Sequence, residues 1–241
     1  MRVLLIMNGS RARYAGGADE ARLRVWQPYC APGTQLEIGY LPDEDSSGGV
    51  ARNYEFGAAD AAIKQAVLYP ERCAQAEQEG YDAVIMHCCS DPGLERARAR
   101  VSIPVIGPGE ATLRAGAMLG RAIGMTVPSD KSVKHHREQV TELGLDDRLL
   151  GVEPINRPIG AYAGQDPRAM TDALVAAAQR LVDRGADVIC PTGLAFIPVR
   201  VAAAEVARRV GVPVLDPALL AVRATEALVA SVAPVRTPRR G

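Results

Sequence analysis

The run Gly80-Tyr81-Asp82-Ala83-Val84-Ile85 and the run Gly185-Ala186-Asp187-Val188-Ile189-Cys190 repeat one pattern. Each carries a glycine and an aspartate ahead of a short apolar stretch of strand type, and a helical stretch follows. A second short element comes next: Ile103-Pro104-Val105-Ile106 in one half and Val212-Pro213-Val214-Leu215 in the other. A weaker match links Met7-Asn8-Gly9-Ser10 to Met125-Thr126-Val127-Pro128-Ser129. Such an internal repeat predicts two similar lobes related by a pseudo-twofold, each a small parallel sheet flanked by helices.

Working outward, short apolar runs alternate with longer helical stretches along the chain, the pattern of an α/β fold. Strands are expected at Val3–Met7, Gln35–Leu41, Ala83–His87, Val105–Ile106, Ala122–Val127, Val188–Cys190 and Val214–Leu215. Helices are expected at Ala58–Glu79, Leu94–Val101, Ala111–Leu119, Lys131–Leu143, Arg168–Arg184, Val199–Val210 and Leu219–Ser231. The stretch Pro42–Asn53 reads as a loop. Residues 1–115 with 212–241 are expected to form lobe one and residues 116–211 lobe two, so the chain crosses between them more than once. Residues 232–241, with Arg236, Arg239 and Arg240, read as a frayed, flexible tail.

Composition narrows the function. The 241 residues carry 28 Lys plus Arg against 28 Asp plus Glu, a balance that gives no reason to expect a nucleic-acid or membrane partner. One Trp, seven Tyr and two Phe leave the core to Ala, Val, Leu and Ile, the material of helix-covered parallel sheets. The five cysteines are odd in number and irregularly spaced, which points to a reduced, cytoplasmic protein rather than a disulfide framework. His87-Cys88-Cys89 and His135-His136 do not have zinc-motif spacing, and His135 and His136 read as solvent-facing on a charged helix. Gly107-Pro108-Gly109-Glu110 lacks the glycine spacing of a dinucleotide fingerprint. No cofactor, nucleotide or metal is therefore inferred. A homo-oligomer is compatible with the apolar helices.

A ligand of an open parallel sheet sits beyond the carboxyl ends of its strands, here in the cleft between the lobes. Counted from the shared glycines, His87 matches Thr192, and Cys88 matches Gly193. Cys88 closes a strand, and Asp91-Pro92 is placed to cap and open the next helix. Amides and a helix dipole beside the thiol favour a thiolate that moves a proton at carbon. The alternative is a small buried hydrophobe, the common state of a free cysteine. Asn8, Ser10, Ser90, Thr126, Ser129 and Thr192 join Cys88 and Gly193 near strand ends. Cys89 is counted with the substrate-binding set by proximity, although strand alternation turns its side chain toward packing. Ser129 also fits an ordinary N-cap. Glu110 reads as structural at a helix start.

The segment His87-Cys88-Cys89-Ser90-Asp91-Pro92-Gly93-Leu94 resembles the first cysteine motif of hydantoin racemases, in the aspartate/glutamate racemase superfamily. The likeness continues through Pro104-Val105-Ile106-Gly107, Gly109-Glu110-Ala111, Gly185 to Ile189 and Gly211-Val212-Pro213-Val214, and Asn8 and Ser10 fit the family's N-terminal element. The resemblance implies a cofactor-independent enzyme with catalytic Cys88, acting at a carbon alpha to a carboxylate or carbonyl. The expected substrate is a hydantoin, an amino acid or a related small acid. Asn8, Ser10, Thr126, Ser129 and Thr192 would bind its carboxylate or ring carbonyl. Family racemases carry a second cysteine on the other lobe; the matching position here is Gly193, and Cys190 lies three residues early. A single-cysteine decarboxylase or lyase of the arylmalonate type is the alternative reaction. Thr192 is a weaker substitute for the missing thiol, and a non-catalytic small-acid binder is the alternative of another class.

Overall fold

The computed structural model describes residues 1–14, 17–42, 58–156 and 166–232. The expected loop beyond Pro42 and the expected tail beyond Val232 lie outside them. Strand β1 (Arg2–Met7) leads to α1 (Ala18–Trp26) and β2 (Gln35–Gly39). Then come α2 (Ala58–Gln78), β3 (Ala83–His87), α3 (Leu94–Arg98), β4 (Val105–Ile106) and α4 (Pro108–Leu119). The second half runs β5 (Ile123–Val127), α5 (Asp130–Glu142), β6 (Leu149–Pro154), α6 (Pro167–Val182), β7 (Val188–Pro191), α7 (Ala203–Val210) and α8 (Pro217–Ser231).

The strands form two parallel sheets, β2-β1-β3-β4 and β6-β5-β7. A parallel bridge from Ile189 to Val214 adds the counterpart of β4 to the second sheet. Each lobe thus has its first strand beside its second on one side and its third on the other. The order of strands reverses direction there, which opens a crevice at the carboxyl ends of β1/β3 and β5/β7.

The repeated residues do the same work twice. Asp82 accepts the Arg2 N–H at 2.7 Å at the start of β1, and Asp187 accepts the Arg121 and Ala122 N–H groups at 2.9 and 3.0 Å at the start of β5. Val84 donates to the Pro104 carbonyl and Ile189 to the Pro213 carbonyl, both at 2.9 Å. Gly80 and Gly185 each hold positive φ (81° and 105°) where a helix ends, a conformation that favours glycine. With Val84 set against Ile189, the strand registers align Met7 with Val127, two residues from the sequence match to Met125.

The apolar faces of the two sheets pack under their helices in separate cores. One joins Val3, Leu5, Met7, Ile85 and Trp26 with Ala218, Ala221 and Val222 of α8; another joins Ile189, Leu174, Leu181 and Val206. Helix α8 therefore returns to cover the first sheet, after Val214 has paired with the second.

Two elements were not expected from the sequence. Helix α1 is strongly charged, and its apolar residues cluster near its end at Leu23, Val25 and Trp26. Strand β6 is an edge strand interrupted by Gly151 and is only half-buried at four of its six positions. Helix α4 starts at Pro108, three residues before its expected start; α7 starts at Ala203, four residues after its own.

Candidate active site

Cys88 is the first residue after β3 and is partly exposed. Its Sγ lies 3.1 Å from Ser90 Oγ and 3.8 Å from Gln65 Oε1. Gln65, buried on α2, donates through Nε2 to the Asn8 carbonyl at 2.9 Å. That bond fixes the orientation of the amide, because a carbonyl only accepts. Gln65 therefore presents its own carbonyl oxygen to the thiol and receives the S–H. Ser90, whose hydroxyl rotates, is free to donate to the sulfur when the proton leaves. One neighbour suits the thiol and the other the thiolate.

The turn after Cys88 is tight. Asp91 N–H donates to the Cys88 carbonyl at 3.1 Å, and Asp91 takes φ +48°. Asp91 does not cap the next helix as the sequence leads one to expect. Helix α3 begins at Leu94 behind Gly93, without a side-chain cap. The Asp91 carboxylate instead receives the Gly109 N–H at 3.1 Å and the Glu110 N–H at 2.6 Å, at the start of α4. It also receives Gln139 Nε2 at 3.1 Å. The positive φ of Asp91 turns its side chain away from the helix that follows it. Burial raises its pKa to about 7, while the Glu110 and Gly109 amides pull it down. Three donors on one carboxylate are the surroundings of an ionised group.

This explains the glycines that mimic a nucleotide motif. A Cβ on Gly107 would stand 2.5 Å from Asp91 Cγ, and one on Gly109 would stand 2.0 Å from the Cys89 carbonyl oxygen. Both glycines make room for the protein's own carboxylate and carbonyl. Gly93 lets the loop meet α2, since a Cβ there would lie 2.6 Å from the Ala66 carbonyl oxygen.

The other candidates are placed as follows. Asn8, at the end of β1, accepts a hydrogen bond from the Tyr14 hydroxyl, and Ser10 is partly exposed two residues on. Cys89 is buried, and burial pushes its pKa up, opposed by the backbone of Gly193 and Leu194. The second-lobe loop reaches Cys89 through Leu194, which lies in the same apolar core. Gly193 has φ +99°, and a Cβ on it would meet the Phe196 ring at 2.6 Å. Thr192 is buried and spends its hydroxyl on the Thr126 carbonyl at 3.1 Å. Thr126 is itself buried within β5. Ser129 occupies the N-cap position of α5 without capping it, its Oγ lying 3.4 Å from that of Ser132.

Cys190 lies beneath α4, donating to the Thr112 carbonyl at 3.6 Å, and burial pushes its thiol up to about 12. Gly116 of α4 leaves the space that this sulfur fills. Glu110 works as a structural residue: Arg98 and Arg114 hold it at 2.7 and 2.6 Å. His87 is buried with its ring 5.6 Å from that of Trp26. Among the described residues no three His, Cys, Asp or Glu side chains cluster as metal ligands, and no helix is long and apolar enough to cross a membrane.

His136 also departs from its expected place. It is buried, not solvent-facing, with Nδ1 2.9 Å from Gln139 Oε1. Burial lowers its pKa to about 4, the Gln139 bond opposes this, and His135 adds to it. Helix α5 turns His136, Gln139 and Val140 inward, at an i, i+3, i+4 spacing that the surrounding charges obscure. Gln65 and Gln139 went unnoticed in the sequence because an isolated glutamine on a helix carries no motif.

A family model described as Asp/Glu/Hydantoin racemase matches residues 49–225. The hydantoin racemase of Paenarthrobacter aurescens is 28% identical over 178 residues, covering 72% of each chain. The allantoin racemase of Pseudomonas fluorescens shares the fold with a TM-score of 0.80 at 23% identity, over 100% of this chain and 98% of that one. Unliganded arylmalonate decarboxylase aligns with a TM-score of 0.62 at 18% identity, over 96% and 94%. With its doubled sheet, its Cys88 loop and a family match over most of its length, the chain belongs to the Asp/Glu/Hydantoin racemase family.

Proposed function

We propose that this protein is a cofactor-independent enzyme in which Cys88 moves a proton at a carbon alpha to the carbonyl of a cyclic amide of the hydantoin type, or of a small carboxylate. The observation that carries the reading is the Cys88 thiol at the carboxyl end of β3, between a carbonyl acceptor on Gln65 and a hydroxyl on Ser90. As a base, the thiolate takes the proton from carbon and leaves an enolate. As an acid, the thiol returns a proton to that carbon. The Ser90 and Gly93 amides are near enough in the chain to hold the enolate oxygen, the Asp91 amide being spent on the Cys88 carbonyl and Pro92 having none, with Asn8 and Ser10 on the neighbouring strand end. Resemblance to the hydantoin and allantoin racemases supports the cyclic amide.

Decarboxylation is the second reading, favoured by one observation. Gly193, the residue that matches Cys88 in the internal repeat, has a left-handed backbone with the Phe196 ring against it and carries no thiol. In that reaction the carbon–carboxylate bond breaks, carbon dioxide leaves, and Cys88 protonates the enediolate from one face.

Wild-type and Cys88→Ala protein should be incubated in deuterated water with hydantoins, amino acids and aryl malonates. Exchange at the alpha carbon with inversion identifies a racemase, and carbon dioxide release a decarboxylase. In either case Cys88→Ala is expected to lose it. Absence of exchange and release on every compound would overturn both readings in favour of a binding protein.

A further inference from the structure

The Cys88 turn belongs to the first sheet, yet much of what holds it comes from the second. Helix α5 follows β5, and its Gln139 is buried. Gln139 Nε2 donates to the Cys89 carbonyl at 2.9 Å and to Asp91 Oδ2 at 3.1 Å. An amide nitrogen has two protons, so these two acceptors exhaust it. Its Oε1 is left to accept, and its partner is His136 Nδ1 at 2.9 Å. The proton of neutral His136 therefore sits on Nδ1, and every polar atom of the Gln139 side chain is committed. Gly109 leaves the space: a Cβ there would lie 2.4 Å from Gln139 Nε2. On its other side the Cys89 side chain shares an apolar core with Leu194 of the loop after β7. The residue after Cys88 is thus hydrogen-bonded to the second lobe at its carbonyl and packed against it at its side chain, and the residue two further on is bonded at its carboxylate.

We infer that Gln139 is a positioning residue for Cys88, with His136 fixing the orientation of its amide, so that the second lobe aims the first lobe's thiol. Gln139 touches no reacting atom in this scheme. It sets the direction of the Cys89–Ser90 peptide, one residue beyond Cys88, and a thiol displaced by about 1 Å from its line of attack loses on the order of 100-fold in rate. The inference rests on the reading of Cys88 as the proton carrier.

The test compares Gln139→Met, which keeps the length and removes both donors, with wild type. Three quantities are read: the pH profile of iodoacetamide alkylation at Cys88 by peptide mapping, kcat and KM on a substrate found by the deuterium screen, and protection of buried Cys73 and Cys190 as a check of folding. Expected are an alkylation profile altered at Cys88 and a kcat lowered roughly 10- to 100-fold with little change in KM. Cys73 and Cys190 should stay protected. A folded Gln139→Met with wild-type alkylation and wild-type kcat overturns the inference. If that variant fails to fold, His136→Asn and His136→Phe decide. Asparagine places an N–H where Nδ1 stands and should preserve the alkylation profile, whereas phenylalanine should shift it; equal profiles overturn the inference. Turnover surviving in Cys88→Ala would instead refute the reading of Cys88, while the alkylation comparison would still report on positioning.

Discussion

In the first lobe Asp82 secures the start of β1, and in the second Asp187 secures the start of β5. Val84 and Ile189 then pair with the carbonyls of matching prolines. At the other end of the same strands the lobes part. β3 runs into His87, Cys88 and a turn closed by Asp91, while β7 runs into Thr192, a left-handed Gly193 and Phe196. The strand starts are a folding requirement, met by one aspartate chemistry in each lobe. The strand ends are free of that requirement, because the core has already been formed by the residues before them. Divergence therefore collects where the cleft is.

The sharpest way to break this contrast is to remove one cysteine from each lobe. Cys88→Ala is expected to lower turnover by about 100- to 10,000-fold, the range of general acid–base catalysis. Cys190→Ala, beneath α4, should retain activity within a few-fold. A folded but inactive Cys190→Ala would mean that the second lobe contributes a thiol after all.

The buried histidine of α5 gives a pH test. His136 titrates near 4 in the folded protein, below its ordinary value of 6.5. The unfolded chain thus binds the extra proton between those values, and stability from this group is present above pH 6.5 and lost as pH falls toward 4. The difference in unfolding free energy between wild type and His136→Phe should shrink over that window by as much as about 3 kcal/mol. Denaturant unfolding at a series of pH values measures it. A constant difference would place His136 in contact with solvent.

Gly193→Ala sharpens the comparison at the matching position. A left-handed backbone and a Cβ 2.6 Å from the Phe196 ring should cost about 1–3 kcal/mol. Gly193→Cys carries the same strain, so rebuilding a two-thiol pair requires the β7 loop to move. A Gly193→Ala as stable as wild type in thermal melts would show that this loop already takes another path. The smallest effect is expected at the shared aspartates. Asp82→Ala and Asp187→Ala should each lower the melting temperature by roughly 2–4 °C, with Asp187, which receives two N–H groups at the next strand, at the upper end. Markedly unequal losses would show that the repeat no longer has a common structural role.

These contrasts separate what sequence reading reaches from what it does not. The doubled Gly-x-Asp pattern and the Pro-Val pairs are local signals with a fixed spacing. They led to the paired sheets, and β3 and β4 were found residue for residue. Strand β6 escaped because an edge strand with Gly151 at its centre has no continuous apolar run. At the site, the cysteine stood out through its neighbours in sequence. Its partners Gln65 and Gln139 lie 23 residues before Cys88 and 50 after Cys89, and ordinary helical glutamines announce no contact at that range. Asp91 misled for a related reason: Asp-Pro ahead of a helix is a local capping pattern, and the carboxylate is claimed by amides 18 and 19 residues away.

Helix α8 has a consequence for the order in which the molecule is made. Ala218, Ala221 and Val222 complete the core around β1 and β3, so the lobe that holds these strands cannot close until α8, made after the whole second sheet, has appeared. The second sheet needs only the stretch from α4, whose Leu113 packs with Ile123 and Val188, to its bridge at Val214. Domains usually fold as units, beginning with the N-terminal one during synthesis. Here the middle of the chain is complete first, and the thiol-bearing lobe waits for α8 with the apolar face of β1 and β3 uncovered. A nascent chain arrested short of Asp216 should therefore hold a finished second lobe and an open first one, the form in which chaperones would meet this protein.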